Sequence, residues 1–441
     1  MRRTLFPAIA ATLLFCCCSK KSDHKILNDQ YLLHQNMKQL TEVIIQDMFS
    51  PPVSSRIYCY TSLAAYEAVK FNKPGNNSIT AQLMGFGTMP VPEKNKEYNF
   101  LLAATKAFFT VAEKITFSKD SLIQYENKLY PEFESLLDKE TFDRSINFGA
   151  AVGKRVLERA ATDNYKETRG MPKFIGSNEP GKWRPTATDY LDALEPNWAM
   201  IKPLAVNSEQ CECPAPPGFS TDTTSEFFKY MKEVYDITTH LTDSQRTIAK
   251  YWDDNPFVIE HSGHLMYGNK KITPVGHWIG ITGIACKKTK SDAVKTAEAY
   301  ALTSIAMFDV INACWKMKYK YNHIRPITVI NEYLDRNWQP FLQTPPFPEH
   351  SSGHSGISAS AATVLTKLFG DNFVFEDTSD LEYIGMKRSF QSFKLAANEA
   401  SISRVYGGIH YRTGVDAGAM QGREVGKYII DKFLKEQAVK N

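Results

Sequence analysis

The chain has 441 residues, 43% of them hydrophobic and 23% charged, with a formal net charge of +4. That is enough apolar material for one large core or two fused domains, and the modest charge suits a chain that folds. No concentrated basic stripe occurs, which argues against a nucleic-acid partner.

In chain order, Arg2 and Arg3 precede an apolar stretch from Leu5 to Phe15 and then Cys16, Cys17 and Cys18. The stretch is short for a membrane span and gives way at once to the polar SKKSDHK, so residues 1–17 read as a signal peptide. Leu14 stands three residues before Cys17, and a cysteine so placed resembles the lipid-modification site of bacterial lipoproteins. This predicts a lipid-anchored chain in the bacterial cell envelope, periplasmic or at the surface, and a secreted one if the cysteine is unmodified. No later segment combines the length and freedom from charge of a membrane span. Of the remaining cysteines, Cys211 and Cys213 sit in the loop-like CECPAPPG without a second ligand pair, so a redox or loop-stabilising role is expected over a metal site.

Helical periodicity is expected over residues 27–49, 57–71, 97–116, 121–138 and 145–163. The segment 57–71 suits a buried helix that begins just after Pro51-Pro52. A Pro/Gly-rich passage from Gly170 to Pro217 reads as extended loops. Helices resume at 223–254, 276–285, 289–318, 354–369, 380–403 and 414–435. Little period-2 alternation and no Gly-rich nucleotide motif are present, which predicts a mainly α protein of two bundles packed together. Residues 18–441 are expected to form one large catalytic unit.

Three segments of the C-terminal third carry the chemistry. In WKMKYKYNHIRPI, Lys318 and Arg325 lie seven residues apart, nearly two helical turns, and Pro326 predicts a helix end near Arg325. In PPFPEHSSGHSGIS, a polar turn delivers Ser352, Gly353 and His354 to a helix start, where free backbone N–H groups bind anions. An earlier Ser262-Gly263-His264 lacks such a helix entrance and a basic partner. In SISRVYGGIHYRTG, Gly407-Gly408 allow a close turn between Arg404 and His410. Three cations crowded together repel unless a multiply charged oxyanion joins them, so the three segments predict one pocket for a small tetrahedral anion.

The ordered combination, about a hundred residues from Trp315 to Asp416, resembles the vanadium-dependent haloperoxidases of the type 2 phosphatidic-acid-phosphatase superfamily, bacterial iodoperoxidases in particular. The resemblance implies two packed four-helix bundles, vanadate as cofactor, and hydrogen peroxide and halide, iodide favoured, as substrates. By it, Lys318, Arg325, Ser352, Gly353 and Arg404 hold the oxyanion, His410 ligates the metal, and His354 supplies acid–base chemistry, with Lys318 and His410 also taking part in catalysis. The alternative is an acid phosphatase acting on phosphate monoesters through a phosphohistidine intermediate at His410.

Neighbouring residues refine the expectation. Trp315 and Phe347 resemble pocket-wall aromatics of these haloperoxidases; the algal bromoperoxidases have histidine at the latter position. Ser351 stands where the family has proline, and His350 before it is a candidate to tune acidity or line the entrance, with packing of the loop as an equal alternative. The family's carboxylate four residues after the essential histidine is replaced by Gly414, which leaves Asp416 as a candidate to orient His410. Asp253 and Asp254 are candidates to pair with Arg325 or Arg404, with an ordinary helix-end salt bridge as the favoured alternative, and His277 is expected to be structural. His264 and Tyr267 are further candidates for the entrance.

Overall fold

The computed structural model describes residues 31–256, 258–262 and 264–434. Residues 1–17, expected as a signal peptide, and with them Cys17, lie outside the described residues. The chain is mainly helical, with only two short antiparallel hairpins among the described residues. The N-terminal half supplies α1 (Tyr31–Gln46), α2 (Pro51–Val69), α3 (Phe100–Ile115), α4 (Lys119–Leu136) and α5 (Lys139–Ala160). Helix α2 begins earlier than periodicity suggests. Ser50 caps it by accepting from the Val53 amide, and Pro51 and Pro52 occupy first-turn positions whose missing N–H groups cost nothing. Every residue of α2 is buried, because α3, α5 and a later long helix all pack around it.

After the short α6 (Tyr165–Arg169), the chain runs through the expected loops. These are pinned to the core by one acid. The buried Asp309 carboxylate accepts from the amides of Leu204, Ala205 and Val206 at 2.7–2.9 Å. The region expected as one helix over 223–254 is two, α7 (Glu226–Thr239) and α8 (Asp243–Tyr251), because Thr242 and Gln245 form a capping box that restarts the helix. The hairpin β1 (Val258–Ser262) and β2 (Leu265–Asn269) then leads into α9 (Pro274–Lys288). His264 is exposed in the hairpin turn; the Tyr267 side chain lies outside the described residues.

The 29-residue α10 (Ala293–Tyr321) is the common wall of the molecule. It packs against α2 on one side and against α12 (Gly353–Phe369) and α15 (Arg412–Phe433) on the other. With α14 (Phe393–Tyr406), these last helices complete the C-terminal bundle. Between α10 and α12 lies the short α11 (Pro326–Tyr333). The single helix expected over 380–403 is instead α13 (Leu381–Ile384), a strand and α14, since Gly385 turns left-handed and Ser392 caps a new start. That strand, β4 (Arg388–Phe390), pairs with β3 (Phe375–Asp377).

Helices α12 and α15 meet at unusually short range, and the sequence shows why. Gly414, Gly418, Gly422 and Gly426 recur every fourth residue and so share one face of α15. A Cβ at Gly418 would lie 2.3 Å from the Ser352 carbonyl oxygen, and one at Gly422 would lie 2.3 Å from that of Gly356. The stripe lets α15 lie against the backbone of α12 at the very turn that carries Ser352.

Candidate active site

The three segments converge as expected, but by a different route at the first. Helix α10 ends at Tyr321, where Asn322 takes φ +48° and donates its amide to the Lys318 carbonyl. Arg325 therefore sits at the start of α11 and not on the same helix as Lys318. Lys318, Arg325, Ser352, Gly353, Arg404 and His410 are all buried.

Arg325 is fixed by the two loops it bridges. Its Nε donates to the Phe347 carbonyl at 2.8 Å and its Nη1 to the Ile409 carbonyl at 2.6 Å. Nη1 also lies 3.2 Å from His410 Nε2, while Nη2 is buried without any partner. An orphaned guanidinium donor in the interior is costly, so it marks the place of an absent acceptor. Arg404 is held by the carbonyls of Trp252 and Asp253 and by Ser403 Oγ. Burial pushes both guanidiniums down to about 10, still charged at neutral pH.

Lys318 behaves unlike a free anion donor. Its ammonium reaches the carbonyls of Pro348, Glu349 and Ser351 at 3.0, 3.1 and 2.6 Å, which occupies all three protons. It braces the turn before Ser352 and brings its charge there, lying over the Phe347 and Trp315 rings at 4.8 and 5.7 Å. Burial, with the Arg325 charge adding to it, lowers this lysine to about 8.

At the entrance of α12, Ser352 is the N-cap. Its Oγ accepts from the Ser355 amide and hydroxyl, so its own proton remains free to donate. The first amides of the helix, at Gly353 and His354, have no intrahelical acceptor, which makes this end a natural anion seat.

The orienting acid for His410 is Glu349, one residue before His350. Its Oε1 lies 2.7 Å from His410 Nδ1 and 3.2 Å from the Tyr411 amide, and Oε2 lies 3.2 Å from His323 Nδ1. Asp416, the expected partner, is exposed on the outer side of α15. The glycine at 414 explains the exchange: a Cβ there would lie 2.1 Å from Glu349 Oε1. The acid arrives from a different loop and fills the space that a side chain at 414 would take. Burial alone would raise the Glu349 carboxyl, but hydrogen bonds from His323 and His410 outweigh it and hold the group well below its ordinary range. Burial and the Arg325 charge push His410 down to about 3. The pair is thus a carboxylate and a neutral imidazole with its proton on Nδ1 and its lone pair on Nε2, facing Arg325.

His354 is half-buried, with Nε2 3.2 Å from the Asp253 carbonyl and 3.3 Å from Arg404 Nη1. Burial first, then the Arg404 charge, keep it well below its ordinary value and therefore neutral. Trp315 and Phe347 pack together, ring centroids 5.2 Å apart, and both line a cavity of about 30 Å³ with Gly353, His354 and His410. A second of about 30 Å³ adjoins it beside Arg404 and Asp253. These spaces admit a few water-sized groups each and no large organic molecule.

Further expectations are decided between their alternatives. The carboxylates of Asp253 and Asp254 pair with Lys271 and His277, and it is main-chain carbonyls of the 252–253 segment that hold Arg404. His350 does not line either cavity; it is buried against Tyr321, with Nε2 2.9 Å from the Pro214 carbonyl and 3.6 Å from Cys213 Sγ. Cys211 and Cys213 serve the same loop as buried, unbridged thiols, and the Cys211 carbonyl accepts from Gln421. Glu349 and His323 were the residues that sequence reasoning missed. A carboxylate set in the otherwise uncharged PPFPEHSSGH, together with the missing acid at 414, was the available signal.

Comparison with known proteins bears on the family and the fold. Residues 298–437 match the family model of the VCPO second helical-bundle domain. A solved bacterial vanadium-dependent iodoperoxidase superposes with a TM-score of 0.87 at 42% identity, covering 91% of this chain and 96% of that one. Bacterial vanadium-dependent chloroperoxidases share the fold at lower identity. The holo form has a TM-score of 0.66 at 17% identity, with 90% and 94% of the two chains covered. The apo form has 0.64 at 16%, with 87% and 94% covered. No curated protein sequence matches.

Proposed function

The chain belongs to the vanadium-dependent haloperoxidases, and from that premise we infer that it oxidises iodide with hydrogen peroxide at the pocket of Arg325, Ser352, Gly353, Arg404 and His410. The overall reaction converts halide, peroxide and one proton to hypohalous acid and water. The observation that carries the assignment of residues is the pairing of a neutral His410 lone pair with the orphaned Nη2 of Arg325. His410 Nε2 would ligate the metal of a bound vanadate, and Arg325 Nη2 would donate to one of its oxygens. Bound vanadate supplies Lewis-acid activation of the peroxide toward halide.

The chain's own groups then divide the work. Glu349 keeps the His410 proton on Nδ1 and so keeps Nε2 available as a ligand. Arg325, Arg404, the Ser352 hydroxyl and the first amides of α12 hold the anion's oxygens, while Lys318 contributes its charge from the turn it braces. His354 moves the proton at Nε2. An anion held by Arg404 would offset the charge that helps hold this imidazole down, which would let His354 take up and release a proton. Trp315 and Phe347 exclude water, which strengthens each of these interactions.

Vanadate-loaded protein should oxidise iodide faster than bromide, and bromide faster than chloride, in parallel peroxide assays. No halide oxidation, with efficient hydrolysis of phosphate monoesters, would overturn the reading. His410→Ala should abolish vanadate retention, whereas His354→Ala should retain vanadate and lose turnover. The phosphatase reading keeps one observation in its favour, since Glu349 gives His410 the orienting acid that a nucleophilic imidazole needs; the vanadate-free protein tests it. We further propose, from residues 1–17 alone, a lipid anchor on Cys17 in the bacterial envelope. Mass spectrometry of the membrane fraction, with Cys17→Ser as control, decides that point. Among the described residues, no helix is long and apolar enough to cross a membrane.

A further inference from the structure

Behind the wall that holds Arg404, four buried ionisable side chains meet at His277 on α9. Nδ1 lies 3.0 and 3.1 Å from the two Asp254 oxygens and 3.7 Å from Asp380 Oδ2, and Nε2 lies 2.9 Å from Asp377 Oδ2. All four residues are less than a tenth exposed. One imidazolium cannot balance three buried carboxylates, and its single Nδ1 proton is already shared by both oxygens of Asp254. Asp380 Oδ1 is buried and has no hydrogen-bond partner.

We propose that Asp254, His277 and Asp380 form a binding site for one divalent first-row transition cation of the zinc or manganese type. The ligating atoms of the three lie within 4.8 Å of one another. Atoms separated by 3.0 to 3.7 Å subtend angles of about 90° to 125° at a cation about 2.1 Å from each, which is ordinary coordination geometry. The imidazole gives Nδ1 to the cation while Nε2–H donates to Asp377, whose Oδ1 accepts in turn from the Ser379 amide. A carboxylate on the far nitrogen is the usual support of a metal-bound histidine. One imidazole with carboxylate oxygens suits this class of cation better than calcium or magnesium. A cavity of about 280 Å³ is bordered by Thr378, Ser379 and Leu381, the chain neighbours of Asp380.

The cation would lock a segment that matters for catalysis. Trp252 stacks on the His277 ring at 4.5 Å, and the carbonyls of Trp252 and Asp253 hold Arg404, the latter also lying 3.2 Å from His354 Nε2. The bound cation is therefore a positioning element for the 252–254 wall and takes no part in the oxidation itself.

Chelator-treated protein titrated calorimetrically with zinc and with manganese, in the absence of vanadate, tests the site. One equivalent should bind per chain, raise the melting temperature and alter tryptophan fluorescence. The Asp380→Asn variant should bind at least 10-fold more weakly, and Asp416→Asn, at a surface carboxylate, should bind unchanged. X-ray absorption of the zinc-loaded wild type should show a single imidazole among oxygen ligands, whether or not the Asp380 variant folds. No one-to-one binding, unchanged binding in a folded Asp380→Asn, or an all-oxygen shell each overturns the proposal; the cluster would then balance its charge with a proton on Asp380.

Discussion

At the scale of single residues, the decisive contact joins His410 to Glu349. A ligand histidine is useful only if its metal-facing nitrogen has a lone pair, and the acid on its other nitrogen sets that tautomer. Glu349→Gln removes the carboxylate while nearly keeping the shape, and is expected to weaken vanadate binding 10- to 100-fold, a range of about the size seen when such supporting groups are lost. Vanadate titration of the otherwise intact protein measures it, and undiminished affinity would show that Glu349 is merely structural. The same contact explains why Gly414, read from the sequence as the loss of an acid, is an exchange of one loop's carboxylate for another's. Lys318 teaches a related lesson. Its charge is where the spacing places it, yet its protons are committed to carbonyls of the next segment.

Among the elements, the glycine stripe of α15 governs how the pocket is assembled. Ser352 and Gly353 reach their positions because α12 lies directly on Gly418 and Gly422. Gly422→Ala would thrust a methyl group into the Gly356 carbonyl and force the helices apart, at a cost of roughly 1–3 kcal/mol. Urea unfolding of the vanadate-free variant should show that loss, with unchanged stability counting against backbone contact between α12 and α15. The effect should also reach function, since the displaced turn carries the anion seat one helical turn away. Junctions between elements decided as much as the elements did. Asn322 ends α10 early, and the restart at Pro326 turns Arg325 back toward the pocket.

Across the whole molecule, burial of neutral histidines makes acid sensitivity a property of the fold. His34 and His410 are lowered to about 3 and His350 to about 4, each chiefly by burial. Between those values and the ordinary 6.5 the unfolded chain binds protons that the folded chain refuses, so the stability these groups allow is complete above pH 6.5 and falls as the pH drops. The slope approaches about 1.4 kcal/mol per pH unit for each histidine. Burial raises the acids Asp309 and Asp380 to about 6 and about 8, which opposes that loss over the same range, so the histidine contribution is read by difference. His34→Gln should make the urea midpoint of vanadate-free protein less acid-sensitive from pH 6.5 to 4.5, and an unchanged pH dependence would contradict the buried neutral state. Saturating vanadate should add stability throughout by binding the folded form alone.

The sequence by itself determined the helical class, the burial of α2, the three donor segments and their convergence on one anion. Those features are written in local spacing: helical period, cap residues, and donor types whose mutual repulsion only a shared oxyanion relieves. What only the tertiary structure decided is which groups meet across the chain. Glu349 and His410 are 61 residues apart, and Arg404 takes its support from carbonyls about 150 residues earlier. Periodicity says which face of a helix is buried; it carries no record of the partner that arrives there. The carboxylates of Asp253, Asp254 and Asp416 were assigned by nearness in sequence or likeness to the family pattern, and packing sent each of them elsewhere.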